Sequence, residues 1–337
     1  MAHSNPNVAL AVLLALCAAS PGPAQQQNSF HIQVTPVHGN IYVVSGAGGN
    51  ITVQTGKDGV LLVDTGLADA APQVIAEIRK LTTGPVLFII NTHMHPDHVG
   101  GNEAMAKTRG ESETGPIVPT GGGGRPPEPL TGEQPLKIIA HENVLNRMTM
   151  PTGSETRPPQ AGLPEDEYFT PFKDLRFNGE AIIIYHEPNA HTDGDSVVLF
   201  RASDVVSTGD IFSPDGYPFI DLERGGSIEG EISALNHILD LTVPGKTQDG
   251  GTYVIPGHGR ICDEADVVEY RDMVVIIHDR IQDMIKKGMT LNQIEAAKPT
   301  RDYDTEYIAD SSFVKADQFV EAIYRSLTQT KRVGSSQ

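Results

Sequence analysis

Cationic residues are scarce in this chain. Its 337 residues include 25 Lys and Arg against 43 Asp and Glu, which gives a formal net charge of −18 at pH 7. Because nucleic acids and anionic membrane surfaces are bound mainly through Lys and Arg, we expect neither as a partner. Tryptophan is absent and aromatic residues make up only 6%, so a platform for stacking bases or sugars is not indicated either.

Hydrophobic runs long enough to span a membrane are also missing. The apolar run over residues 8–19 has about a dozen residues, whereas a spanning helix needs about 20. This length is typical of a secretory signal, and Gly22 and Ala24 supply small residues for cleavage before Gln25. A buried N-terminal helix is the alternative. We therefore expect residues 1–24 to be a signal peptide. The mature protein should be periplasmic or secreted, without stable membrane insertion after the signal is removed.

Cysteine occurs only as Cys17 and Cys262. If Cys17 leaves with the signal, no intramolecular disulfide can form, although the compartment is oxidising. A lipid anchor on Cys17 is disfavoured because Leu16 is larger than the Gly or Ala usual before a lipoprotein cysteine. We expect Cys262 to be a buried small residue, not a nucleophile.

The remaining composition is that of a globular protein, with 39% hydrophobic residues. Short apolar, β-branched runs predict strands at 41–44, 51–54, 60–64, 86–91, 137–140, 181–185, 196–200, 204–207 and 252–255. Helical periodicity predicts helices at 69–81, 142–148, 227–241, 263–287 and 312–328, the first capped by Asp69. Two strand-rich halves, each covered by helices, predict two sheets packed face to face with helices outside, in one domain over residues 25–337.

Two Gly/Pro-rich inserts interrupt this pattern, near residues 108–135 and 151–164. A long loop inside a compact domain is often a lid or a binding loop. A solvated insert without a role fits the composition equally well.

Histidine and aspartate cluster where the strand at 86–91 ends. The sequence there reads His93, His95, Asp97 and His98 within six residues, followed by two glycines. Imidazole and carboxylate groups suit Zn²⁺, which accepts both. Three further candidates follow other predicted strands: His191, Asp210 and His258. Each of these alone is an ordinary turn residue, but the four elements in this order predict metal binding.

This pattern resembles the metallo-β-lactamase fold superfamily, which includes glyoxalase II and the zinc β-lactamases. The resemblance implies an α/β fold, a four-layer αββα sandwich of two mixed sheets flanked by helices, with two Zn²⁺ ions per chain at one edge. It assigns to the first metal His93, His95 and His191. It assigns to the second metal Asp97, His98 and His258. Asp210 would bridge the two ions, and Asp64 would support the ligand loop.

The resemblance implies a dinuclear zinc hydrolase in which a metal-bridging hydroxide attacks a carbonyl of a small molecule. Asp97 would orient the nucleophile or receive its proton. The segment 191–199 is similar to that of the zinc β-lactamases, so a lactam, lactone or ester is the expected substrate. No obvious basic residue stands just after Asp210 to hold a lactam carboxylate, and Tyr217 is the candidate in its place.

Other functions remain open at this point. A thioester hydrolase of the glyoxalase II type is one alternative, and an oxidoreductase resembling the mononuclear iron persulfide dioxygenases is another. A non-catalytic zinc module is a third. Among the remaining histidines, His186 is the one expected to come nearest to the metal groove. The sequence does not determine the oligomeric state.

The signal-peptide interpretation predicts a mature N-terminus at Gln25 or within a few residues of it. Mass spectrometry of the protein recovered from the periplasm measures this terminus directly. An intact N-terminus in a cytosolic fraction would contradict export, but it would leave the metal-site prediction unaffected.

Overall fold

The structure, a computed structural model, describes Met1 and residues 30–108, 136–150, 159–246, 250–308 and 313–334. Residues 2–24 of the expected signal peptide lie outside the described residues. So do residues 109–135 of the first Gly/Pro-rich insert and residues 151–158 of the second.

The first sheet contains seven strands that follow one another in chain order. They are β1 (Gln33–His38), β2 (Ile41–Ala47), β3 (Gly49–Gly56), β4 (Gly59–Val63), β5 (Val86–Ile90), β6 (Lys137–His141) and β7 (Asp166–Tyr168). The strands β1 to β4 form an antiparallel meander, whereas β4 to β7 run parallel. The helices within this half are α1 (Ala71–Leu81), α2 (Pro96–Val99), α3 (Asn102–Lys107) and α4 (Glu142–Thr149).

The second sheet contains five strands in the order β12-β11-β10-β9-β8. Their bounds are β8 (Phe172–Phe177), β9 (Glu180–His186), β10 (Ser196–Phe200), β11 (Val205–Ser207) and β12 (Tyr253–Ile255). Only β11 and β12 pair in parallel. The helices of this half are α5 (Ile228–Leu241), α6 (Glu264–Lys286), α7 (Leu291–Ala297), α8 (Asp304–Tyr307) and α9 (Ala316–Gly334).

Apolar residues on both faces of β4 explain the layers. Leu61 and Val63 face the second sheet, and Val60 and Leu62 face α1, because successive strand residues point to opposite faces. A third apolar cluster lies between the second sheet and the helices α5, α6 and α9. The predicted four-layer αββα sandwich of two mixed sheets is confirmed. No helix among the described residues is long and apolar enough to cross a membrane.

Side chains cap the helices α5 and α6, but not α1, the helix for which a cap was predicted. Ser227 accepts a hydrogen bond from the Gly230 amide at the start of α5, and Asp263 accepts bonds from the amides of Ala265 and Asp266 at the start of α6. The predicted cap Asp69 is wrong: it lies within a 3₁₀ turn, Ala68–Ala70, that leads directly into α1. The helix therefore needs no capping side chain there, since the turn continues its backbone.

A buried carboxylate joins the two sheets. Glu180, at the start of β9, is only 6% exposed. It accepts hydrogen bonds from Gln54 Nε2 of β3 at 2.5 Å and from the amide of Ala202 at 2.9 Å. Ser203 donates two more, from its amide at 3.0 Å and from its hydroxyl at 2.8 Å. Because its donors come from both halves, Glu180 fixes the position of one sheet against the other.

We expect Glu180→Ala to lower the free energy of unfolding by about 3 kcal/mol, because several buried donors lose their acceptor together. Glu180→Gln, which keeps the shape and one acceptor oxygen, should cost about 1 kcal/mol. Denaturant titration measures both changes, and Glu167→Ala on the exposed side of β7 is the control. A Glu180→Ala loss as small as that of the control would contradict this role.

Candidate metal centre

The seven candidate ligands lie together at one edge of the sandwich. His93 and His95 follow β5, and Asp97 and His98 lie on α2. The strands β9, β11 and β12 run in the same direction, so the loops after their carboxyl ends reach one edge of the second sheet. These loops carry His191, Asp210 and His258.

The first cluster consists of three imidazoles around one carboxylate: His93, His95, His191 and Asp210. The ligand atoms of these residues lie within 4.8 Å of one another. His191 Nε2 is 3.0 Å from His95 Nδ1. Asp210 Oδ2 is 3.7 Å from His93 Nε2 and 3.8 Å from His191 Nε2.

The second cluster consists of Asp97, His98 and His258, with the same mutual spacing. His258 Nε2 lies 3.2 Å from Asp97 Oδ2 and 3.4 Å from His98 Nε2. The other oxygen of Asp210 also faces this cluster, at 3.1 Å from His98 Nε2 and 3.5 Å from His258 Nε2. Asp210 therefore stands between the two clusters, one oxygen toward each.

Burial favours the neutral form of two imidazoles in the first cluster, those of His93 and His191. It lowers the pKa of His191 to about 4 and holds the pKa of His93 well below its usual range. Neutral imidazole is the form that binds metals, since a nitrogen lone pair is then free. His93 Nε2 is buried and has no hydrogen-bond partner. An unpartnered buried nitrogen is costly, so this atom fits a position beside a bound cation.

Neighbouring carboxylates act on the two imidazoles of the second cluster. Burial alone would lower the pKa of His98, but the charges of Asp210 and Asp64 outweigh it and raise this pKa well above its usual range. Burial is likewise outweighed at His258, where Asp210 and Asp97 raise the pKa to about 9. The carboxylates of Asp64, Asp97 and Asp210 supply negative charge that a divalent cation would neutralise, so the residues fit a metal at both clusters.

Asp64 supports the ligand loop from behind. It directly follows β4, is 2% exposed, and has a positive φ of 64°, which is a strained conformation for a non-glycine residue. Its carboxylate accepts hydrogen bonds from the Thr92 amide at 2.8 Å and the Thr92 hydroxyl at 2.7 Å. His98 Nδ1 lies 2.8 Å from the same carboxylate. This contact leaves Nε2 of His98 directed into the second cluster.

Asp221 has the corresponding position behind His95. Its Oδ2 lies 3.0 Å from His95 Nε2, and Arg224 donates to it at 2.8 Å. Burial alone would raise the pKa of Asp221, but the hydrogen bonds from His95 and Arg224 hold it well below its usual range. Sequence reasoning missed Asp221, because it lies 126 residues from His95 in a turn without a recognisable motif.

Close backbone approaches hold the loops that carry Asp210 and His258. A Cβ atom at Gly257 would lie 2.0 Å from Asp210 Oδ1, so only glycine fits beside this carboxylate. Asn50 donates from its side chain to the carbonyls of Pro256 at 2.9 Å and Gly259 at 3.0 Å. The turn bearing His258 is thereby fastened to β3.

A cleft of about 700 Å³ opens over the two clusters. Its described lining combines site residues with apolar side chains: Leu67, His95, Pro96, Asp97, Asp210, Ser213, Asp215, Gly216, Tyr217, Phe219, His258, Gly259, Phe313 and Val314. The expectation that Tyr217 could hold a substrate carboxylate is wrong. Tyr217 is 3% exposed and its hydroxyl bonds to Asp304 Oδ1 at 2.9 Å, so it offers no free donor to the cleft.

Two further sequence expectations concern side chains near this site. His186 stacks on His141 with ring centroids 3.5 Å apart and bonds to the Asp193 carbonyl; it is not part of the described cleft lining. Cys262 is buried and free, and burial raises the pKa of its thiol to about 12. It is a buried small residue, as expected.

Replacing Asp221 should weaken metal binding at the first cluster. We expect Asp221→Ala to lower the Zn²⁺ affinity about 10- to 100-fold, because His95 loses the acceptor that fixes its orientation. Calorimetric titration of metal-stripped protein with Zn²⁺ measures the change. Glu223→Ala, an exposed carboxylate of the same turn, is the control, and equal affinities of the two variants would contradict the role of Asp221.

Comparisons with solved structures agree with this architecture. The sec-alkylsulfatase Pisa1 from Pseudomonas sp., described as stereoselective and inverting, is similar with a TM-score of 0.62 and 17% identity, over 87% of this chain and 50% of that one. This chain thus spans half the length of the alkylsulfatase. The metallo-β-lactamase from Pontibacter korlensis has a TM-score of 0.52 and 14% identity, over 72% of this chain and 99% of that one. The DIM-1 metallo-β-lactamase has a TM-score of 0.52 and 16% identity, over 72% and 96% of the two chains.

At these identities the structural likeness establishes the fold alone. No curated protein matches the chain. The sequence profile of the metallo-β-lactamase superfamily matches residues 34–258, which include all seven candidate ligands. Because this profile covers most of the chain, the protein belongs to the metallo-β-lactamase superfamily.

Proposed function

We propose that the protein is a dinuclear zinc hydrolase that acts on a small-molecule lactone, ester or lactam. The observation that carries this proposal is the position of Asp210, with one oxygen toward each of two ligand clusters. Membership of the superfamily supports an enzyme, and the similar solved structures, a sulfatase and β-lactamases, are hydrolases.

The proposed ligand sets follow the two clusters. The first zinc ion would be held by His93, His95 and His191, and the second by Asp97, His98 and His258, with Asp210 shared. When bound, two zinc ions lower the pKa of water to about 7 and polarise a substrate carbonyl. Two carboxylates of the chain orient the imidazole ligands: Asp64 fixes the ring of His98, and Asp221 fixes the ring of His95.

Asp97 is the proposed proton acceptor. It lies in the cleft lining and is less buried than most of the other ligands. Burial alone would raise its pKa, but the hydrogen bond with His258 and the charge of His98 lower it. An ionised carboxylate at this position can orient the attacking water or take its proton.

The cleft favours a lactone or ester over a β-lactam. The hydroxyl of Tyr217 is engaged by Asp304, and no Lys or Arg belongs to the described lining of the cleft. A lactam carboxylate would therefore find no cationic partner there. A thioester, like a lactone or an ester, needs no cationic partner for a carboxylate, so thioesters stay among the candidate substrates. An iron dioxygenase of the mononuclear type would need only the first cluster, so the complete second cluster argues against it.

Alkyl sulfate esters are a second candidate. The similar sec-alkylsulfatase is named for this substrate class. Phe219 and Phe313 give the cleft an apolar wall on which an alkyl chain could lie. A secondary alkyl sulfate therefore belongs in the substrate panel.

We also propose export from the cytoplasm, for which the sequence of residues 1–24 is the support.

Metal analysis joined to kinetics tests the proposed function. Purified protein should contain about two zinc ions per chain and hydrolyse at least one lactone, ester, lactam, thioester or alkyl sulfate. His191→Ala should reduce turnover about 100-fold or more, because a bound metal supplies several kcal/mol of transition-state stabilisation. About one iron per chain would instead indicate the dioxygenase, and zinc without any turnover would indicate a non-catalytic module.

Removing the shared carboxylate should affect the second metal most. We expect Asp210→Ala to lower the zinc content below that of the native protein while circular dichroism stays unchanged. His278→Ala, on α6 and away from both clusters, is the control for both substitutions. An Asp210→Ala variant with native zinc content and native turnover would rule out the shared position.

A further inference from the structure

We infer that the cleft selects substrates whose unreacting part is apolar and free of negative charge, with Phe219 and Phe313 as the apolar determinants and Asp215 as the charge determinant. This inference rests on the proposed function and adds the substrate class.

Phe219 connects the metal centre to the surface. Its ring centroid lies 5.5 Å from that of His191 and 6.0 Å from that of His95. On the outer side it meets the ring of Phe313 edge-on at 5.3 Å. Two metal-ligand rings and one surface ring are thus linked through a single side chain.

Both phenylalanines are exposed to an unusual degree. Phe219 is 39% exposed and Phe313 is 80% exposed, and adjacent exposed aromatic rings mark a binding surface more often than a lone one does. Val314 continues this wall within the cleft. An apolar chain leaving the reacting carbonyl would cover these rings and remove their surface from water.

The described lining of the cleft contains no Lys or Arg, so it offers no permanent positive charge to an anionic substrate group. Apart from the candidate metal ligands, the one charged residue in the described lining of the cleft is Asp215, which is exposed. A Cβ atom at Gly259 would lie 2.6 Å from Asp215 Oδ2, so this carboxylate stands over the residue that follows His258. An anionic group approaching along this side meets a like charge close to the metal centre.

The arginines around the cleft lie outside its described lining. Arg260 donates to Asp266 at 2.6 and 2.9 Å. Arg224 and Arg325 line a separate pocket of about 400 Å³, which shares Phe219 and Phe313 with the cleft, and Arg224 donates to Asp221. Arg260 lies within electrostatic reach of Asp215, but none of these arginines belongs to the described lining of the cleft, and the net charge of −18 adds to the repulsion.

The test uses the zinc-loaded protein and three p-nitrophenyl esters: acetate, octanoate, and the ester of octanedioic acid that ends in a carboxylate. We expect a higher kcat/KM for octanoate than for acetate, and a value for the carboxylate-ended ester about tenfold below that for octanoate. Phe313→Ala should lower the octanoate-to-acetate ratio about tenfold. Asp215→Lys should raise the ratio of carboxylate-ended ester to octanoate about tenfold, and Asp215→Asn should raise it less.

A remote charge reversal provides the matched control. Asp283→Lys on α6 changes the net charge by the same amount and should leave both ratios unchanged. Ratios that do not respond to Asp215→Lys or Asp215→Asn, or that respond equally to Asp283→Lys, would overturn the inference while the hydrolase assignment stands.

Binding is measured in parallel, by calorimetry with two anilides of the same acyl groups: octanoyl anilide and its carboxylate-ended counterpart. Tighter binding of the uncharged anilide by the native protein, with the order reversed in Asp215→Lys, supports the inference even if no ester is hydrolysed. In that case the absence of turnover would reject only the hydrolase assignment. Equal binding of both anilides by the native protein would overturn the inference.

Discussion

The carboxylate of Asp210 is the group on which the site depends. It comes from the second sheet, yet its oxygens lie 3.7 Å from His93 and 3.1 Å from His98, which follow a strand of the first sheet. Imidazoles surround it on both sides, and although burial alone would raise its pKa, their charges hold it well below its usual range. One charge of fixed position therefore joins the two halves of the sandwich, and in the proposed dinuclear centre it would be the ligand that both cations share.

The rest of the site can be understood as support for this arrangement. Asp64 and Asp221 lie behind the imidazoles of His98 and His95 and direct one nitrogen of each ring. Gly257 leaves the space that Asp210 occupies, and Asn50 fastens the turn of His258. Each supporting contact crosses between elements, so the sandwich must be assembled before the ligands can meet. Chemistry at the strand ends thus depends on the packing of the layers.

Sequence reasoning succeeded where a local pattern had one physical meaning. Apolar runs of strand length predicted the layers, and four potential ligands within six residues at a strand end predicted a cluster of His and Asp side chains there. It failed where only the assembled fold decides. The cap at Asp69 was replaced by a 3₁₀ turn, Tyr217 turned its hydroxyl to Asp304, and Asp221 and the Phe219–Phe313 wall depend on contacts between distant segments.

Anomalous X-ray diffraction from crystals of the purified protein, recorded at the zinc and iron absorption edges, tests the central claim most directly. Two zinc ions sharing Asp210 predict two peaks at the zinc edge, about 3.5–4 Å apart, one beside His93 Nε2 and one beside His258. A single peak confined to the first cluster, or peaks at the iron edge instead, would contradict the dinuclear zinc centre.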